Sequence, residues 1–233
     1  MQSAALPPQP LSETLSRAIE RGCDIAGCRF TGGDAGRQDL YGLGLEQCVF
    51  SGCRLTGCDF SRTTLSHVRF EQCDLSGVHF DDAGLHHVQL VDCRGLGLHA
   101  FGALWDDVAI QGGVYDYVNL HRSQWKQCTL SASFRDAALT ALTVRKCRVD
   151  GSDFTRADWS GAHIAGLDFS GAIIEGARFS QDGLRDVVVS REQAAELARL
   201  LGLGFTGLIL AGRLCNLAVY LALAAFALGR TRR

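Results

Sequence analysis

The sequence predicts an all-β solenoid, and three observations carry that prediction. A large apolar residue recurs every five positions, a small apolar residue stands two positions before it, and the remaining three positions are mostly polar or glycine. That period fits neither an α-helix nor a β-strand, whose side chains repeat every 3.6 and 2.0 residues. Self-similarity at a short fixed period marks a stack of coils, in which each unit buries its apolar side chains only against copies of itself.

Before the repeat, Pro7, Pro8 and Pro10 precede a short amphipathic run with Leu11, Leu15 and Ile19. Ser12 is the expected cap of this helix. Residues 1–22 therefore read as an arm and helix covering the open edge of the first coil.

The repeat occupies residues 23–189. One frame runs through Ile25, Phe30, Leu40, Leu45 and Phe50 to Leu130, interrupted only at Ala35, Gly95 and Ala100. A frame shifted by one residue then runs without exception from Phe134 to Val189. Two irregularities follow. Between Leu130 and Phe134 a residue is missing, which predicts a loss of register and a bend at 131–134. At 94–104 glycine and alanine stand where bulk belongs, which predicts either a narrowed coil or a projecting loop carrying Gly97, His99 and Phe101.

The chain contains ten cysteines. Cys23, Cys28, Cys48, Cys53, Cys58, Cys73, Cys93, Cys128 and Cys147 all fall in the small inward slot, which elsewhere holds Val68, Val88, Ala83 or Ala157. A slot that accepts Cys, Val and Ala selects a small apolar body, so these nine read as core thiols rather than metal ligands or disulfides. So many thiols, with no secretory pattern at the start of the sequence, predict a reducing, cytoplasmic setting.

Segments such as Cys58-Asp59-Phe60-Ser61, Cys73-Asp74-Leu75-Ser76-Gly77 and Ala157-Asp158-Trp159-Ser160-Gly161 resemble the pentapeptide-repeat family. Its pattern is a small residue, Asp or Asn, Leu or Phe, then two polar positions. The resemblance implies a right-handed, four-sided β-helix with four pentapeptides per coil, hence roughly eight coils at a spacing of about 4.8 Å. Residues twenty apart then become vertical neighbours. Asp34, Arg54, Asp74 and Arg94 form an alternating charge ladder, and Gln47, His67, His87 and Asp107 form a second column. His67 and His87 are the weak candidates for a metal.

The family resemblance also implies a function: a non-enzymatic rod that binds a protein partner, DNA gyrase or topoisomerase IV, as a DNA mimic giving protection from antibiotics or toxins. The carboxylates available for mimicry are Asp39, Asp59, Asp81, Asp82, Asp106, Asp107 and Asp116. Arg62, Arg122 and Lys126 share that surface, and the net charge is only −2. Direct nucleic-acid binding is not expected from that charge. No cofactor is expected, and no nucleophile stands beside a general base in a recognisable motif.

After the repeat, Ser190-Arg191-Glu192-Gln193 reads as a capping box opening a helix over 190–202. This segment is similar to the terminal helix through which topoisomerase-protecting relatives form homodimers, which implies a dimer contact through Leu197, Leu200 and Leu201. Residues 203–233 form an apolar helical tail interrupted by Arg213 and Asn216. Leu210, Leu214, Leu217 and Leu221 share a helical stripe suited to a helix–helix seam. Alternatively, residues 203–228 anchor the rod to a membrane as a scaffold or bacterial effector. Insertion of the apolar residues would gain roughly 5 kcal/mol, against a cost of about 3 for a central arginine.

Overall fold

The computed structural model describes residues 8–200, apart from the side chains of Gln181, Arg199 and Leu200. The chain divides into two units, Met1–Val188 and Val189–Arg233.

The first unit is a parallel stack of about nine turns. Up to residue 131 each turn is in register with the one twenty residues earlier: Phe30 pairs with Phe50, Phe50 with Phe70, and Phe70 with Leu90. Stacking brings like side chains together, so Phe30, Phe50 and Phe70 lie with ring centroids 4.7 and 4.9 Å apart. Trp105 and Trp125 stack at 5.5 Å in the same way. The core is this set of inward columns, and Leu40, Phe50, Phe60 and Phe169 are wholly buried.

The corners have a backbone signature. A residue with positive φ recurs at intervals of five, and the positions include Gln47, His67, His87 and Asp107 as well as Gly52, Gly57 and Gly77. None of the non-glycine residues there is β-branched. A branched Cβ is the side chain least able to enter the left-handed region.

The corner signature explains the missing residue. Thr129, Leu130 and Ser131 pair with Ala109, Ile110 and Gln111, but Ser133 pairs with Val114, so the register falls from twenty to nineteen. The residue lost between Ser131 and Ser133 stands where lower turns carry Asp92 and Gly112, both with positive φ. Without it, the strand Thr129–Ser133 runs straight through the corner. The nineteen-residue register persists at Asn119 with Ala138 and returns to twenty at Ser133 with Asp153.

The stretch 94–104 stays in the wall. Arg94 bridges Val114 and His99 bridges Asn119, so no loop leaves the stack and Gly97, His99 and Phe101 are ordinary wall residues. Its interior is filled differently instead. Leu98 fills the usually small slot and is buried, and the Tyr115 ring descends over Gly95. What remains is an apolar void of about 10 Å³ lined by residues including Leu98, Tyr115 and Leu120. It lacks the polar partners that would hold a water molecule.

At the lower end α1 spans Leu11–Arg21 and buries Leu11, Leu15 and Ala18. Its cap is Pro10, not Ser12, because proline fixes φ at −68° and lets the helix begin one residue later. Ser12 Oγ instead accepts a hydrogen bond from Gln38 Nε2 at 3.4 Å. Ile19 lies on the solvent side rather than in the seam. The helix ends at Gly22 in the left-handed conformation. Gln9 N–H donates to Arg29 O at 2.9 Å, so the arm also pairs with the first turn.

Six of the nine described cysteines are buried: Cys48, Cys53, Cys58, Cys73, Cys93 and Cys128. Cys23 is exposed and Cys28 and Cys147 are partly so, which corrects the expectation that all nine are sealed. Cys23 follows immediately on Gly22 at the end of the stack, with no turn twenty residues below it.

In the second unit α2 spans Arg191–Leu200. Ser190 N–H donates to Gln193 Oε1 at 2.7 Å and Gln193 N–H donates to Ser190 Oγ at 3.3 Å, a reciprocal capping box. Leu197 is buried. The side chain of Leu200, and Leu201, Leu210, Leu214, Leu217 and Leu221, lie outside the described residues. Among the described residues no helix is long and apolar enough to cross a membrane.

Candidate functional site

The aspartates of the repeat have a local task first. Asp39 Oδ1 accepts from Tyr41 N at 3.0 Å and Asp59 Oδ1 from Ser61 N at 2.8 Å. The same turn recurs at Asp74, Asp153, Asp158 and Asp168 with the serine or threonine two residues on. The short carboxylate side chain satisfies a backbone donor that the corner would leave open.

These bonds shift titration. Burial opposes ionisation of Asp74, Asp153 and Asp158, yet hydrogen bonds from Ser76, Thr155 and Ser160 outweigh it and hold the carboxyls below their usual range. Ser170 does the same for Asp168. A carboxyl whose pKa is lower in the folded state contributes stability above its unfolded value of about 3.9, and that contribution is lost as pH falls through the folded value. The melting temperature is therefore expected to fall steeply below about pH 4. Thermal melts at pH 7, 5 and 3 check this, and an unchanged midpoint at pH 3 would contradict it.

The remaining candidate acids are also engaged within the wall. Asp81 Oδ1 accepts from Phe101 N at 2.8 Å. Asp82 lies 3.8 Å from Arg62 Nε, and Asp106 2.8 Å from Lys126 Nζ. Asp107 Oδ2 is 2.7 Å from His87 Nδ1. Asp116 Oδ1 accepts from Ser133 Oγ at 2.6 Å and Arg135 N at 3.0 Å. Farther along, Arg135 pairs with Asp153, Arg156 with Asp136, and Arg178 with Asp158. Such half-exposed pairs contribute little stability, roughly 0–1 kcal/mol each. Their effect on the surface is larger, because each carboxylate is met by a base or by a backbone donor.

Histidine enriches two adjoining faces. His67 and His87 stack at 4.7 Å with planes 11° apart, and His79 and His99 at 4.8 Å. Parallel stacked rings do not converge their nitrogens on a point, and His87 Nδ1 is already taken by Asp107. Among the described residues no group of three or more His, Cys, Asp or Glu side chains could hold a metal.

The sequence pattern also hides a set of exposed apolar side chains at outward positions around a single turn. Phe101, Leu104 and Val114 are each about two-fifths exposed and Tyr117 two-thirds exposed, at 39%, 40%, 41% and 66%. Leu104 pairs in register with Gly84 below and Gln124 above, so the neighbour beneath has no side chain to cover it. Phe101 stacks on His121 at 5.5 Å, one turn up. The signal was present, since all four occupy outward positions of the repeat, where Ser, Asp and Gly prevail.

Residues 23–99 match the family model for a pentapeptide repeat region, and residues 145–181 match the model for pentapeptide repeats in eight copies. The chain is a pentapeptide-repeat protein. Several solved pentapeptide-repeat structures resemble it at low identity. HetL of the cyanobacterium Nostoc sp. strain PCC 7120, involved in heterocyst differentiation regulation, is 19% identical, with 77% of this chain and 94% of that chain covered at a TM-score of 0.49. QnrB1, a plasmid-mediated fluoroquinolone resistance protein, is 23% identical, covering 80% and 92% at 0.34. Rfr23 of the cyanobacterium Cyanothece 51142 is 14% identical, covering 76% and 99% at 0.22. No curated protein matches. The two family-model segments leave residues 100–144 between them, and that stretch holds Phe101, Leu104, Val114, Tyr117 and the shortened turn.

Proposed function

We propose that this pentapeptide-repeat protein is a non-enzymatic, cytoplasmic rod that binds a protein partner through a patch formed by Phe101 and Leu104, which flank the corner at Gly102. The observation that carries this is the break in the outward pattern, where large apolar side chains stand exposed on a rigid, hydrogen-bonded turn. Aromatic and aliphatic groups fixed in place are the usual anchors of protein interfaces, because binding them costs little ordering entropy. The void of about 10 Å³ is far below the ~300 Å³ of a small-molecule site. A photo-crosslinking residue placed at Leu104 should capture a partner that a Phe101→Asp change releases. Equal capture from position Asp150, on another face, would show that the patch is not the contact.

The finer reading is that this partner is DNA gyrase or topoisomerase IV. Supercoiling assays under a quinolone separate patch from acids. Protection lost in Phe101→Asp/Leu104→Asp but kept in Asp106→Asn/Asp107→Asn favours the apolar patch. The reverse favours DNA mimicry, and neither protection nor inhibition at micromolar wild-type protein removes both enzymes as partners.

A further inference from the structure

Most thiols in the small inward slot are sealed by the turns around them, but one on the turn above the shortened one is not. Cys147 is partly exposed and stacks directly above buried Cys128. Cys128 N–H donates to Cys147 Sγ at 3.3 Å, and the adjoining residues Thr129 and Arg148 bridge in register. Stacked strands about 4.8 Å apart fall within the Cα separation of roughly 4.4–6.8 Å that a disulfide spans. The Cα separation of the two stacked cysteines therefore suits a disulfide.

Their surroundings divide the roles. Arg145 and Lys146 precede Cys147 in the chain and are exposed, while Arg148 after it is paired with Asp150 at 3.2 Å. A thiolate is favoured by donated hydrogen bonds. The hydrogen bond from Cys128 holds the Cys147 thiol below its usual pKa, while that same contact, followed by burial, pushes Cys128 up. The other partly exposed stacked thiol, Cys28 below Cys48, is pushed up by burial alone. The column of Cys53, Cys73 and Cys93 is closed to solvent.

We propose that Cys147 and Cys128 form a two-thiol site that reacts with hydroperoxides, Cys147 as the attacking thiolate and Cys128 as the resolving thiol. In the first step Cys147 Sγ takes the terminal oxygen of the hydroperoxide, the O–O bond breaks, and an alcohol or water leaves after protonation. The sulfur is oxidised to a sulfenic acid and the peroxide reduced. In the second step Cys128 Sγ attacks that sulfur, the S–O bond breaks, and the thiol proton leaves with hydroxide as water. The disulfide formed ties together the two turns that flank the missing residue.

Hydrogen peroxide, with dimedone as the sulfenic-acid trap, tests this on the full chain by intact mass and peptide mapping of all ten cysteines. Wild-type protein should lose two hydrogens and yield a Cys128–Cys147 cross-linked peptide, at a rate at least tenfold above oxidation of Cys28. Cys128→Ser should leave a dimedone adduct on Cys147, and Cys147→Ser should abolish both products. In urea the preference for Cys147 should vanish. The proposal is overturned if folded wild-type protein is labelled at Cys23 or Cys28 rather than Cys147, or if the disulfide forms between other cysteines. It is equally overturned if the Cys147 preference survives unfolding.

Discussion

Gly113→Ala is expected to destabilise the rod by at least about 3 kcal/mol, lowering the melting temperature by upwards of about 6 °C. Gly113 has φ +85°, and an added Cβ would stand 2.9 Å from Cys93 N and 3.0 Å from Cys93 C, with the Cys93 carbonyl oxygen nearer still. All three are backbone atoms of the turn below, held by the bond from Val114 N to Cys93 O at 3.1 Å. No side-chain rotation relieves that clash, so the two turns must separate. Gly52→Ala is the comparison, since φ is +62° there and nothing lies within 4 Å of the added Cβ. Only the left-handed penalty of about 1–2 kcal/mol applies at that corner. Urea unfolding of both variants measures the difference, and equal losses would show that the close approach at Gly113 is not what the glycine serves.

Gly95→Leu should also destabilise, by about 1–3 kcal/mol, although it restores the five-residue beat. An added Cβ at Gly95 would lie 2.6 Å from Tyr115 Cδ1 and 2.9 Å from Cε1, and Tyr115 is buried and stacked on Phe134 at 5.4 Å. The ring already occupies the volume that leucine takes in neighbouring turns. Gly95→Leu combined with Tyr115→Leu rebuilds a regular leucine column above Leu75 and should recover most of the loss. If the two changes add instead of compensating in a double-mutant cycle, the ring and the glycine are not coupled.

Both cases show what a linear pattern can and cannot convey. The period identified the inward columns because every coil repeats one environment, and a residue that fits one coil fits the next. Phe50, Phe60 and Trp159 needed no coordinates to be placed in the core. The capping box at Ser190 was equally legible, because its bonds span only three residues. The cap of α1 was not: Ser12 suits the position chemically, but Pro10 already fixes the geometry two residues earlier.

The candidate site was legible only in part. Asp39 and Asp59 stand out in sequence as acids, yet each spends an oxygen on the backbone two residues on, and Asp82 and Asp106 face bases contributed by other turns. Phe101 was singled out as part of a loop, whereas it lies in a wall whose hydrogen bonds are intact. The exposure of Leu104 beside it depends on Gly84, twenty residues earlier, which has no side chain to cover it.

By itself, then, the sequence determined the repeat, the inward columns and the places where the beat fails. It could do so because those depend on local period and on stacking of like upon like. The tertiary structure decided what each failure means. At Gly95 a ring from the next turn fills the gap, at Ser131–Ser133 a left-handed corner is lost, and at Cys147 a thiol is left partly open above another. Those outcomes depend on contacts between residues about twenty positions apart, and a shift of one residue in register changes every pair that follows.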